Sequence, residues 1–339
     1  MNVHKIKGVR FLSTLLLLVG LLIGCSSQSS GNGDESGGGS GGGNMQTSNF
    51  NFGAATQGGF WYALGGAYAN EIEQTIDGSS VNVIEGGSIS NLKGIESGKF
   101  HMGFSNGQTV PEALNGENSF KKEGENITWA ATLYPNVFHI VVPADSDIKS
   151  VEDLKGKKVS PGIKGYSGEL AFKQILEING MSYDDLAKVE YVGTADGASL
   201  LRDGHIDAVV GMISAPVSTF QELDTTFGIR LIPLKDETIT KMKESNEGFN
   251  KYTIEAGVYE NIDTDTNTVA AHTTFMVNEG LSEDTVYTLT KTLFENKKKW
   301  VSLNKMMESF NAEFSINNKI GPMHPGAEKY YKEAGLLGE

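Results

Sequence analysis

Gln57-Gly58-Gly59-Phe60-Trp61-Tyr62-Ala63-Leu64-Gly65-Gly66 stands between two runs of different periodicity. Before it, Phe50-Asn51-Phe52-Gly53-Ala54 alternates apolar and polar, the period of a strand. After it, Leu64, Tyr68, Ile72 and Ile76 recur every fourth residue and line one face of a helix. The stretch is therefore a strand, a glycine-rich turn and a helix start. The first turn of a helix has N–H groups without partners and a partial positive charge, so it suits an anion. The paired glycines let a ligand approach the backbone, while Phe60, Trp61 and Tyr62 offer flat walls and one hydroxyl. The alternative is a tight turn whose aromatics fill a core, and the local pattern alone leans slightly that way.

The same unit recurs. Val81–Ile84 reads as a strand, and Gly86-Gly87-Ser88-Ile89-Ser90-Asn91 leads into a short helix carrying Leu92 and Ile95 and closed by Gly98. Phe100–Phe104 is the next strand. This β-α-β-α-β order predicts a mostly parallel sheet with right-handed crossovers. Ligands of such sheets sit beyond the carboxyl ends of the strands, which makes Gly59, Gly87, Ser88, Asn91, Ser105 and Asn106 candidate contacts. Gly-Gly-Ser-x-x-Asn is not a dinucleotide fingerprint, because the third glycine is missing. Thr128–Thr132 reads as a strand, followed by a turn at Leu133-Tyr134-Pro135 with Tyr134 as a pocket candidate. Val137–Val142 and Val269–Val277 are strands long and apolar enough to run between two halves of the molecule. Gly162-Ile163-Lys164-Gly165-Tyr166-Ser167-Gly168-Glu169 opens a second helix with Leu170, Phe172, Ile175 and Leu176, and Tyr166, Ser167 and Gly168 are its candidate contacts. Glu169 falls in the first turn, where a carboxylate is favoured. Met212, Ser214 and Pro216, the last expected as the first residue of a helix, complete the candidates.

Gln57-Gly58-Gly59-x-Trp61-Tyr62-x-Leu64-Gly65 resembles the opening motif of TAXI-type solute receptors, the extracytoplasmic binding proteins of tripartite ATP-independent periplasmic (TRAP) transporters. The Gly-Gly-Ser-x-x-Asn segment, Leu133-Tyr134-Pro135, the run before Ser214-Ala215-Pro216, and Pro322-Met323-His324-Pro325-Gly326-Ala327 with Tyr330-Tyr331 and Gly335 follow in the family's order over roughly residues 50–336. The family usually has a small residue at Phe60 and proline at Ala63, so the pocket shape differs here. The resemblance implies an α/β, two-lobed fold of the type II periplasmic-binding-protein kind. Each lobe would be a mixed, mostly parallel sheet flanked by helices, with the ligand in the cleft between them. Residues 46–138 plus 256–339 would form lobe I and 139–255 lobe II. It further implies a small carboxylate ligand, such as glutamate or a related amino acid or dicarboxylate, delivered to integral membrane TRAP subunits. A receptor for an ATP-driven importer and a ligand sensor for a membrane kinase are the alternatives.

Residues 1–24 carry Lys5, Lys7 and Arg10 and then the apolar run Leu15–Ile23, too short to span a bilayer as a helix, and read as a secretion signal. Leu22-Ile23-Gly24-Cys25 looks like the lipobox of bacterial lipoproteins, so Cys25, the single cysteine, is the expected lipidation site and membrane anchor. Residues 25–45 form a Gly/Ser tether after it. The formal net charge of −14 argues against a nucleic-acid-binding face. There is no Gly-x-Ser-x-Gly elbow, phosphate loop or His-Glu-x-x-His, and the 6 histidines show no metal-ligand spacing. Neither catalytic residues, cofactor nor metal is expected, and the receptor is expected to be a monomer.

Overall fold

The computed structural model describes residues 48–57 and 59–338; the leader, Cys25, the tether and Gly58 lie outside the described residues. The alternating run forms β1 (Asn49–Gly53), and the apolar stripe forms α1 (Phe60–Thr75), which buries Leu64, Tyr68 and Ile72. Then come β2 (Ser80–Ile84), α2 (Ser88–Glu96), β3 (Met102–Asn106), α3 (Thr109–Asn115) and β4 (Ile127–Pro143). The middle of the chain gives β5 (Lys158–Ser160), α4 (Ser167–Ile178), β6 (Lys188–Val189), α5 (Thr194–Arg202), β7 (Ala208–Ile213), α6 (Ser218–Thr226), β8 (Ile229–Leu231), α7 (Asp236–Ser245) and β9 (Asn250–Ile254). β10 (Thr266–Asn278) and the helices α8 (Glu283–Glu295), α9 (Lys297–Leu303), α10 (Ala312–Asn317) and α11 (Pro325–Glu333) complete it.

The fold is mixed α/β, one hydrogen-bonded sheet flanked by helices. Its strand order is β2-β1-β3-β10-β4-β7-β5-β6, with β8 added to β4 and β9 to β10. The pairing is parallel at both ends, β1 with β2 and β3, and β5 with β6 and β7. It is antiparallel in the middle, where β10 and β4 lie side by side. These two strands run through both halves: β10 pairs with β9 through Thr266–Ala270 and with β3 through Thr273–Val277.

The Leu133-Tyr134-Pro135 segment corrects the expected turn, for it lies inside the 17-residue strand β4. Proline fits because the ladder needs no N–H there. β7 begins its pairing only at Val137, and the register with β10 shifts beside Pro135, between His272 and Thr274.

Three apolar clusters hold the sheet. One gathers Phe52, Tyr68, Phe104, Trp129, Phe275 and Trp300 around β1, β3 and the carboxyl-terminal helices. A second, with Phe138, Phe172, Ile175 and Val210, lies under α4 and α7, and a third, with Val141, Phe220, Leu223 and Tyr259, under α5 and α6. Phe52 is fully buried at the centre of the first, edge-on to Phe104, Tyr68 and Phe275, and such burial contributes roughly 2–3 kcal/mol.

Burial also sets a pH dependence. His139 is buried, with Nδ1 against the Val137 carbonyl and Nε2 against the Tyr259 hydroxyl, and burial pulls its pKa to about 4. Burial pulls His272, between Asn250 and Phe314, to about 4 as well. A histidine depressed in the folded state contributes full stability above its unfolded pKa, near 6.5, and loses it as pH falls toward the folded value. Glu112, raised by burial to about 7, acts oppositely and offsets one of the two. Net stability should therefore fall between about pH 6.5 and 4.5. Urea midpoints should drop across that window, and His139→Gln should flatten the drop if the variant folds. A flat profile in the unmodified chain would contradict this assignment.

Candidate functional site

The carboxyl end of β3 and the starts of α2 and α4 bring the predicted polar residues together. α2 begins at Ser88 and α4 at Ser167, and neither first residue is capped by a side chain at the residue before it. The two hydroxyls lie 3.3 Å apart, although 79 residues separate them in the chain. Asn106, the last residue of β3, ties them together. Its backbone N–H donates to Ser88 Oγ at 3.0 Å, and its Nδ2 donates to Ser167 Oγ at 3.0 Å. Its Oδ1 accepts from Asn136 Nδ2 at 2.6 Å. Asn136 also donates to Thr273 Oγ1 at 2.7 Å, which accepts from Trp61 Nε1 at 3.1 Å. One chain of hydrogen bonds thus runs from the first turn of α1, across β10 and β4, to the start of α4.

The aromatics frame this chain. Phe60 packs on Tyr134 with ring centres 5.7 Å apart. Burial holds the Tyr134 phenol well above its ordinary range, offset in part by hydrogen bonds with Thr273 and Trp61. Tyr62 is half-buried. Tyr166, 41% exposed, covers Gly87, where a Cβ would come within 3.6 Å of its ring. Gly168 lies against Met212 so closely that a Cβ would stand 3.1 Å from the methionine Cβ.

Other candidates are placed elsewhere or are occupied. Asn91 is fully buried, and its Nδ2 is the donor to the carbonyls of Gly53, Ala54 and Phe104. Its amide nitrogen staples α2 to β1 and β3, while its Oδ1 has no hydrogen-bond partner. Ser105 is buried with its Oγ on the Asn106 carbonyl, and the Gly59 N–H donates to Thr56 O. Ser214 is buried just past β7. Pro216 is exposed, joined to Ala215 by a cis peptide, and precedes the cap residue Val217, so it is not the first residue of α6.

The electrostatics distinguish the helix starts. α1 and α2 have no acidic residue in the first turn. α4 has Glu169, buried, whose Oε2 accepts from the Gly165 N–H at 2.9 Å and whose Oε1 accepts from the Tyr183 hydroxyl at 2.6 Å. Gly165 reaches it from a left-handed φ of 79°, which favours glycine. The positive end of α4 is thus partly met by its own chain, whereas those of α1 and α2 are left for other charges. The two arginines of the described residues are engaged elsewhere, Arg230 on the Ser146 carbonyl and Arg202 on Asp203. Among the described residues no group of three or more His, Asp or Glu side chains is placed to hold a metal.

Asn136, Thr273 and Gln108 were not read from the sequence. Asn136 was hidden by the expected turn, and Thr273 by the apolar run that surrounds it. Gln108, two residues past Asn106, is buried with Nε2 3.4 Å from Met212 Sδ.

The model of the NMT1-like family matches residues 52–335, and the chain belongs to that family. Among solved structures, it is similar to the alkanesulfonate-binding protein SsuA from Xanthomonas axonopodis pv. citri bound to MOPS, at 14% identity over 87% of this chain and 96% of that one, TM-score 0.45. It is similar to the substrate binding protein of an amino acid ABC transporter at 14% identity over 77% and 97%, TM-score 0.43. A third likeness is to a structure from work on glutathione import via GshT and the cystine ABC importer TcyBC of Streptococcus mutans, at 17% identity over 76% and 94%, TM-score 0.48. All three scores lie below 0.5, and the fold given above rests on the chain's own strand pairing.

Asn91→Ala should leave up to three buried carbonyls short of a donor and lower stability by on the order of 3 kcal/mol. Ser167→Ala, at a half-buried hydroxyl, should change it by less than about 1 kcal/mol. Urea denaturation of both variants checks the contrast, and equal losses would contradict it.

Proposed function

We propose that this NMT1-like chain is an extracytoplasmic solute receptor that closes on a small anionic solute, a carboxylate such as glutamate or a related amino acid or dicarboxylate, and hands it to a membrane importer. The observation that carries this reading is the meeting of two helix starts, at Ser88 and Ser167, from distant parts of the chain. Two positive helix ends facing one another repel, and an anion between them turns that repulsion into attraction on both sides. Serine hydroxyls, first-turn N–H groups and the Asn106 amide supply the hydrogen bonds, without an arginine clamp. Binding followed by release is the chemistry of such a site, and no enzymatic step is proposed.

Residues 46–138 plus 256–339 are proposed as one lobe and 139–255 as the other, hinged where β4 and β10 pass between them. Closure by hinge motion would bring α4 onto α2. Cys25 is proposed to carry the lipid anchor and the Gly/Ser tether to let the receptor reorient at the membrane.

For the importer, the names of the solved neighbours give first place to an ATP-driven system, since two of them name ABC transporters. The TRAP partner implied by the opening motif is the second reading. Uptake by vesicles carrying the membrane subunits separates the two: dependence on ATP supports the first, dependence on an ion gradient alone the second. For the receptor itself, calorimetry should show binding of small carboxylates or sulfonates and none of cationic amines. Ser88→Ala and Ser167→Ala should each weaken binding by roughly tenfold. Unchanged affinity in both variants would overturn the site.

A further inference from the structure

Six buried side-chain polar atoms among the described residues lack a hydrogen-bond partner. Two of these side chains make their other contact between the two proposed lobes, Asp224 to the Asn261 N–H and Gln108 to Met212, and of these Gln108 lies beside the start of α4. Gln108 is 2% exposed. Its Nε2 faces the Met212 sulfur at 3.4 Å. A thioether accepts hydrogen bonds and never donates them, so the nitrogen must face it and Oε1 must turn away. That oxygen, Gln108 Oε1, has no partner.

The orphan oxygen does not come from a loose loop. The Gln108 carbonyl accepts from Asn246 Nδ2 at 2.8 Å, and Gly248 packs so tightly on the Gln108 backbone that a Cβ would fall 2.4 Å away. Met212, on the far side of the carboxamide, is the residue against which Gly168 in the first turn of α4 is pressed. The carboxamide therefore sits beside the start of α4, two residues along the chain from Asn106. A buried acceptor left unpaired is costly, and a rigid one pre-positioned at a ligand site is where such a cost is tolerated. The neighbouring helix starts offer donors, whereas Gln108 Oε1 offers an acceptor.

We propose that Gln108 is the specificity residue by which the cleft selects solutes carrying a hydrogen-bond donor, an ammonium or a hydroxyl, beside their anionic group. The anion takes the donors at the start of α2 and the solute's N–H or O–H donates to Gln108 Oε1. This rests on the anionic-solute reading above, which by itself requires no donor on the solute.

Calorimetry on the intact chain with skeleton-matched probes tests it: succinate against L-malate and L-aspartate, and ethanesulfonate against taurine. The donor-bearing member of a pair should bind at least about tenfold tighter than its donor-free partner. Gln108→Met keeps the size and removes the acceptor, so it should bring that ratio to about one. Gln108→Glu keeps an acceptor and should preserve the preference. Equal binding within every pair, or a preference that survives Gln108→Met, overturns the assignment of Gln108 and leaves the anionic-solute reading standing. Failure of all five probes to bind overturns both.

Discussion

The arrangement depends on Asn106. Its backbone N–H and its amide grip Ser88 of α2 and Ser167 of α4, while its carbonyl oxygen is held by Asn136 on the long central strand. One residue, by its backbone and its side chain, thus fixes the spacing of two helix starts whose partial charges repel. The contact is possible because β3 ends where α2 begins its return and because β4 passes beneath both. With Asn106 in place, the hydroxyls of Ser88 and Ser167 point at one another and the polar row continues through Thr273 to Trp61.

The two long strands carry the rest. A short strand belongs to one side of a sheet; β4 and β10, at 17 and 13 residues, reach both. Their neighbours change along their length, and the irregularity beside Pro135 falls close to that change. A backbone without a required N–H at that point is also one that bends with few hydrogen bonds to break. Two of the histidines that burial depresses lie along the same strands: His139 is on β4 and His272 on β10. Acid thus acts in part on the two long central strands.

Much of this was legible in the sequence because it rested on periodicity. The alternation of Phe50 to Ala54 placed the first strand within a residue of its bounds, and the four-residue stripe from Leu64 marked the buried face of the first helix. Glycine-rich turns marked the starts of α2 and α4, whereas the pairing of Ser88 with Ser167 shows only in the folded chain. What escaped was whatever depends on long-range geometry. Pro135 reads locally as a turn, and only the pairing partners on either edge show why a strand accommodates it. Asn91 reads as a donor at a loop, yet three carbonyls converge on its amide because β1 and β3 pair beside it. Thr273 and Gln108 carry no local signal, since a threonine in an apolar run and a glutamine before a short helix are ordinary.

The most direct test of the account is a crystal structure of the chain saturated with a carboxylate or sulfonate that calorimetry shows to bind. The account predicts the anionic oxygens within hydrogen-bond distance of Ser88 Oγ, Ser167 Oγ and Asn106 Nδ2, with the two serine hydroxyls turned from each other toward the solute. A solute bound elsewhere, with Ser88 and Ser167 still paired directly, would contradict it.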